Sequence, residues 1–217
     1  VLAGATGTGT ALDPGSIAGA AASGAQYIVL LNDPNGGRDV IDTGGLAGGS
    51  LSLTVGQSLV SFLNTDFFAV TGATVPANLI VSNLGPTGIV NTFAGSGAAI
   101  LTSSLGASTV NLANDTRIDG VIVNNDALGF GIVGSGVSNV IIRNSIISGS
   151  GGAIGINDGG AAASVTLTNL ELSASGGRVL ALNGGGAGTL NVSGTGISIA
   201  ATGTAYAVTM TDVTVGT

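Results

Sequence analysis

The chain has no lysine, no histidine, no cysteine and no tryptophan, and its four bases are Arg38, Arg117, Arg143 and Arg178. Without cysteine there is no disulfide and no thiol chemistry, so the redox compartment is not written into the sequence. Ten of the eleven acids are aspartate, Glu171 being the exception, and the formal net charge is −7. Nucleic-acid binding depends on Lys and Arg neutralising phosphate, which excludes that class of partner. An anionic membrane surface is disfavoured for the same reason. Long apolar runs are also missing. The strongest, residues 27–31, is far shorter than the ~20 residues of a spanning helix. No membrane insertion is expected, although the mean hydropathy is +0.62.

What the chain does have is glycine, 40 residues of it, and 44% hydrophobic residues, mostly small or β-branched. Within residues 116–199 one short pattern returns every 24 or 25 positions. Its copies are Ile118-x-x-Val121-x-Val123, Ile142-x-x-Ser145-x-Ile147, Leu167-x-x-Leu170-x-Leu172 and Val192-x-x-Thr195-x-Ile197. Another, Met210-x-x-Val213-x-Val215, follows after 18. The residue before the second position is Gly120, Asn144, Asn169, Gly194 and Asp212 in turn. These are the residue types that tolerate positive φ, so they read as one column of tight left-handed turns. Ile118, Ile142, Leu167 and Val192 are then expected to stack as a buried ladder, with Val123, Ile147, Leu172 and Ile197 as a second.

A third set, Ile132, Ile154 and Leu180, sits in short runs between these copies, and Ala205-Tyr206-Ala207-Val208 stands in the same relation. Each repeat therefore holds about three strands of three to five residues, with no room for a helix between them. Three short strands per repeat of 22–25 residues describe one rung of a parallel β-solenoid, an all-β fold whose rungs must stack to bury an apolar face. The chain reads as one domain, residues 1–217. Residues 1–25 form a lead-in and an N-terminal capping helix over 16–25, with Asp13-Pro14 as its start signal. Residues 26–115 hold irregular rungs, including an aromatic cluster at Phe62, Phe67 and Phe68. Residues 116–217 hold the regular ones. Val1 in place of a methionine marks a processed product or an excised piece.

The stretch from Asn111 to Val123, continued by Gly131-Ile132-Val133 and Ser138-Asn139-Val140-Ile141-Ile142-Arg143-Asn144-Ser145-Ile146-Ile147, resembles the rungs of right-handed parallel β-helix proteins of the pectate-lyase-like superfamily. The small-residue helix, the apolar strand and Leu51-Ser52-Leu53-Thr54-Val55-Gly56-Gln57-Ser58-Leu59 resemble the start of such regions in large bacterial surface proteins. The resemblance implies right-handed coiling and an extracellular or cell-surface location. It specifies a fold rather than an activity.

Members of that superfamily that cut polysaccharides use paired aspartates, or Asp-bound calcium with an arginine base. Here Asp119 and Arg143 share one rung position in consecutive repeats, which places them about 4.8 Å apart. An exposed ion pair is the expected role, with a catalytic pair as the alternative. Asp33, Asp39 and Asp42, close in sequence, could supply some of the oxygen ligands of calcium; a solvated turn explains them equally well. No catalytic residue and no cofactor other than that calcium is expected. Function is read as a non-catalytic structural or adhesive solenoid, a shaft or filament subunit polymerised head to tail or part of a larger surface protein. The alternatives are a polysaccharide lyase or hydrolase, or a module that binds glycans or, through its Thr-rich outer faces, ice.

Overall fold

A computed structural model describes residues 15–30, 40–61, 99–105, 108–185 and 188–215. The strands form a stack of parallel turns, each turn three-sided, as the register of apolar residues requires. Side one is built from β1 (Tyr27–Leu30), β4 (Ser58–Ser61), β7 (Arg117–Asp119) and the first halves of β10 (Val140–Gly149), β12 (Ala163–Ala174) and β14 (Leu190–Ala201). Side two takes β2 (Val40–Asp42), β5 (Ile100–Ser103), β8 (Ile122–Asn125) and the second halves of the same long strands. Side three is a separate sheet of β3 (Leu51–Ser52), β6 (Val110–Asn111), β9 (Phe130–Ser135), β11 (Gly152–Asn157), β13 (Arg178–Asn183) and β15 (Tyr206–Thr211). The final described strand, β16 (Val213–Val215), returns to side one. Every described strand pair is parallel. This is a β-solenoid.

One apolar column lines each side. On side one it runs Ile28, Leu59, Ile118, Ile142, Leu167, and all five are buried. On side two it runs Ile41, Leu101, Val123, Ile147, Leu172, Ile199. On side three it runs Leu51, Val110, Ile132, Ile154, Leu180, Val208. None of these residues is next to its column neighbour in sequence. Burying one therefore requires the turn above and the turn below, which is why such a stack folds cooperatively with its neighbours.

The corner between sides one and two is a single left-handed residue in the regular turns: Gly120 (φ 68°), Asn144 (52°), Asn169 (52°) and Gly196 (66°). In the two preceding turns the link between these sides is longer in sequence. Residues 31–39 separate β1 from β2, and residues 62–99 separate β4 from β5. The aromatic cluster Phe62, Phe67 and Phe68 lies outside the described residues.

Five expectations need correction here. Gly194 is not the turn residue of the fourth copy, and Val192 is not in the Ile118 column. Gly194 pairs with Leu167, and Val192 pairs with Val165, because the step from Leu167 is 27 residues rather than 25. Correspondingly, Ile197 continues Leu170, and Ile199 takes the place beside Leu172. Gly194 is required for space instead: a Cβ there would stand 2.3 Å from the Leu167 carbonyl oxygen. Asp212 does adopt φ 51°, but at a different corner, directly before β16, whose Val213 pairs with Leu190. The capping helix, α1 (Ile17–Ala22), begins later than residues 13–14 suggest. Ser16 caps it, its Oγ accepting from the Gly19 N–H at 3.1 Å. Ile17, Ala20 and Ala21 pack against the core just before β1, the outermost strand of side one. The buried Gln57 side chain ties the two ends of this region, donating to the Ala25 carbonyl and accepting from the Thr54 N–H at 3.1 Å.

Candidate functional site

Two groups of polar side chains stand out, and the corner after side one positions the first. Ile118 points into the core, so Arg117 and Asp119 project from the other face of β7. The register sets Arg143 beside Asp119. Arg117 and Arg143 both donate to Asp119 Oδ2, the latter through Nε at 2.9 Å. Asn144 Nδ2 donates to Oδ1 at 3.0 Å, and Asn169 Nδ2 donates to Asn144 Oδ1 at 2.9 Å. The left-handed asparagines thus do two jobs. They turn the corner, and their amides form a ladder along the stack that ends on Asp119.

The expected exposed ion pair is instead a buried cluster: Asp119 is only 1% exposed, and the Arg117 and Arg143 side chains 9% and 17%. Arg117 is a member that the sequence reading passed over. Its position two residues before Asp119, on the same outward face, was the available signal. Ion pairing at this depth trades a large desolvation cost against close Coulomb contact, so its role is to fix this corner rather than to add much net stability. The named partners of Asp119 are cations and an amide, and both of its oxygens already accept hydrogen bonds. That geometry holds a carboxylate in place; a glycosidase carboxylate has to meet substrate or water.

Of the calcium candidates, Asp33 and Asp39 lie outside the described residues. Asp42 is exposed and engaged by its own turn and by the neighbouring one. Its Oδ1 accepts from the Gly44 N–H at 2.8 Å and its Oδ2 from the Ser104 hydroxyl at 2.9 Å. The Gly44 amide holds its carboxyl below the usual range; burial opposes this and Ser104 adds to it. Among the described residues no three acidic side chains gather at metal-binding distance.

The second group was not anticipated. Where side two ends and the chain turns toward side three, a cleft of about 300 Å³ runs across four successive turns. One column of its lining is Asn124, Ser148 and Ser173; beside it lie Asn125, Gly149 and Ala174. A Cβ on Gly149 would stand 2.2 Å from the Gly152 carbonyl oxygen, so the bend there needs glycine. Asp126, Ser175 and Thr202 complete the rim. At the Asp126 end the groups are tied together. Asp126 accepts from the Thr102 hydroxyl at 2.9 Å and from Asn124 Nδ2 at 2.5 Å, while Asn124 Oδ1 accepts from the Ser148 hydroxyl at 2.8 Å.

No family profile, no curated protein and no solved structure matches the chain.

Proposed function

We propose that this chain is a segment of a non-catalytic β-solenoid shaft or filament, secreted or displayed on a bacterial cell surface, coiled in the right-handed manner of the pectate-lyase-like helices. One observation carries the reading: the turn made by β14 and β15 exposes the columns that earlier turns bury. On side three Leu180 and Leu182 are 4% and 2% exposed, whereas their successors Val208 and Met210 are 39% and 52% exposed. Ile197 and Ile199 are only half-buried. Such a face, with strand edges open beside it, is a template for another parallel turn. Supporting this, the ionic cluster has its acid buried and its hydrogen bonds spent on the corner, so it serves the shape of the stack.

The partner of that face in this proposal is a further parallel turn, from a second copy of the chain stacked end to end or from the remainder of a larger surface protein. Light scattering over a wide concentration range, with negative-stain microscopy of the same samples, tests it. Rods that lengthen with concentration, and that Val208→Glu or Met210→Glu keeps as single particles, are expected. Single compact particles at every concentration, unchanged by either substitution, would sink the filament.

A further inference from the structure

We infer that Asn183 is a site of spontaneous deamidation, at which the Gly184 backbone nitrogen displaces the side-chain amide, and that the pairing of β15 sets its rate. The chain holds two Asn-Gly pairs, Asn35-Gly36 and Asn183-Gly184, and the first lies outside the described residues. Closing a five-membered imide requires the following nitrogen to reach the asparagine Cγ, and glycine, with no Cβ, obstructs this least. Asn183 is exposed at the end of β13, and its Oδ1 accepts from the Gly185 N–H at 2.9 Å. That donor is aimed at the atom that becomes an oxyanion when Cγ is attacked, an arrangement that stabilises such a transition state. Glycine at 184 is also fixed by packing, since a Cβ there would stand 2.0 Å from the Asp212 carbonyl oxygen.

One hydrogen bond restrains the nucleophile. The Gly184 N–H donates to the Thr211 carbonyl at 2.7 Å. Equivalent bonds close two earlier turns, from Gly136 to Asn157 and from Asp158 to Asn183, each at 3.0 Å. Their acceptors end β11 and β13, which are paired on both edges. Thr211 instead ends β15, the outermost described strand of side three. Its hold on Gly184 is therefore the first of the three to open. Asn157, one turn earlier in the same column, is followed by Asp158 rather than glycine, so the two conditions meet only at Asn183 among the described turns.

In the reaction the Gly184 nitrogen bonds to Asn183 Cγ, the Cγ–Nδ2 bond breaks, and ammonia leaves with the proton that Gly184 gives up. Water then opens the imide at either carbonyl, leaving aspartate or isoaspartate. Isoaspartate adds one carbon to the main chain between Leu182 and Gly184. Either product sets a carboxylate near that of Asp212, whose Oδ2 stands 3.9 Å from where a Cβ on Gly185 would be. Like charges at this separation repel. Both changes work against the pairing of Asn183 with Thr211, so the modification loosens the end of the stack in one direction only.

The test is peptide mapping by mass spectrometry of the dilute full chain aged in mildly alkaline buffer, with isoaspartate counted by enzymatic methylation. Asn183 is expected to convert ahead of every other described asparagine, and more slowly than in the same chain held in urea. Val208→Asp, which sets a charge beside Leu180 and so loosens β15, should speed conversion by about three- to tenfold, the worth of one hydrogen bond. Val208→Ala, which disturbs the fold less, should act in the same direction by a smaller factor. An intact Asn183 while Asn125 or Asn157 converts, equal rates in buffer and urea, or no acceleration in either variant overturns the assignment. The reaction lies within one copy, so that result is independent of whether the β14–β15 face stacks.

Discussion

Replacing Asp119 by Asn keeps the shape of the corner and removes one charge, which isolates what the cluster does. In the wild-type protein the carboxylate meets Arg117, Arg143 and Asn144 at a site 1% exposed to solvent. The variant leaves two guanidinium groups close together without that counter-charge. Breaking a fully buried ion pair costs about 3–5 kcal/mol. The Arg143 side chain keeps 17% of its exposure and part of its hydration, so the expected loss is about 2–4 kcal/mol. Against a typical total of about 5–15 kcal/mol that is a large fraction. For a chain of this length it corresponds to a fall in Tm of roughly 5–15 °C. Urea denaturation followed by circular dichroism would measure it. A triple variant, Arg117→Met, Asp119→Leu and Arg143→Met, should recover much of the loss, since an apolar replacement of a whole buried cluster is often close to neutral. A cost for Asp119→Asn below about 1 kcal/mol, the range of exposed pairs, would refute the buried-cluster reasoning.

Other expectations follow from the corners and columns. Asn169 holds φ 52° and donates to Asn144, so Asn169→Val should cost about 1–3 kcal/mol while Asn169→Gly costs less; equal melting of the two would mean the corner is not left-handed in solution. Leu167 is fully buried between Ile142 and the next turn, and Leu167→Ala should cost about 2–5 kcal/mol by denaturant titration, where a loss under about 1 kcal/mol would place it outside the core. Asp42 titrates below its ordinary value in the folded chain, so it contributes stability above the unfolded pKa, and that contribution is lost as pH falls through the folded one. Asp42→Asn should therefore flatten the acid limb of the stability–pH curve; an unchanged limb would show that the Gly44 and Ser104 contacts do not hold the carboxylate.

The stack itself was legible because its two signals repeat: an apolar residue at a fixed place in every turn, and Gly or Asn where the backbone must turn left-handed. Ile118, Ile142 and Leu167 were readable as one column on that basis, as were Gly120, Asn144 and Asn169 as one corner. The slip at Val192 was not readable from face alone. A shift of two residues returns every side chain to the same side of a strand, so Val192 is still buried although it stands in the neighbouring column. Two single-residue lengthenings cause the shift, one between β12 and β13 and one between β13 and β14, and they fall in stretches with Gly176 and Gly177 and with Gly184, Gly185 and Gly188, which offer no apolar landmark. Spacing on side three carried the missing signal, since Leu180 to Val208 is 28 residues. Charge was harder still. Arg117, Asp119 and Arg143 lie on the outward face, where pattern predicts solvent, and only three-dimensional packing reveals that the first two are buried and Arg143 half-buried. The cleft lies at a bend, and the Ser, Gly and Ala that line it mark no place in particular in a Gly-rich chain.

Hydrogen exchange on β15 tests the proposed stacking face most directly. Among the described residues, 206–211 pair with β13 on one edge only, so half of their amides should exchange quickly in dilute protein while those of β13 remain protected. In concentrated, assembled material the fast amides of Tyr206–Thr211 should become protected to the level of β13. Fast exchange that persists in the assembled material, or full protection of β15 in dilute single copies, would contradict a solenoid completed by the next turn of a neighbour.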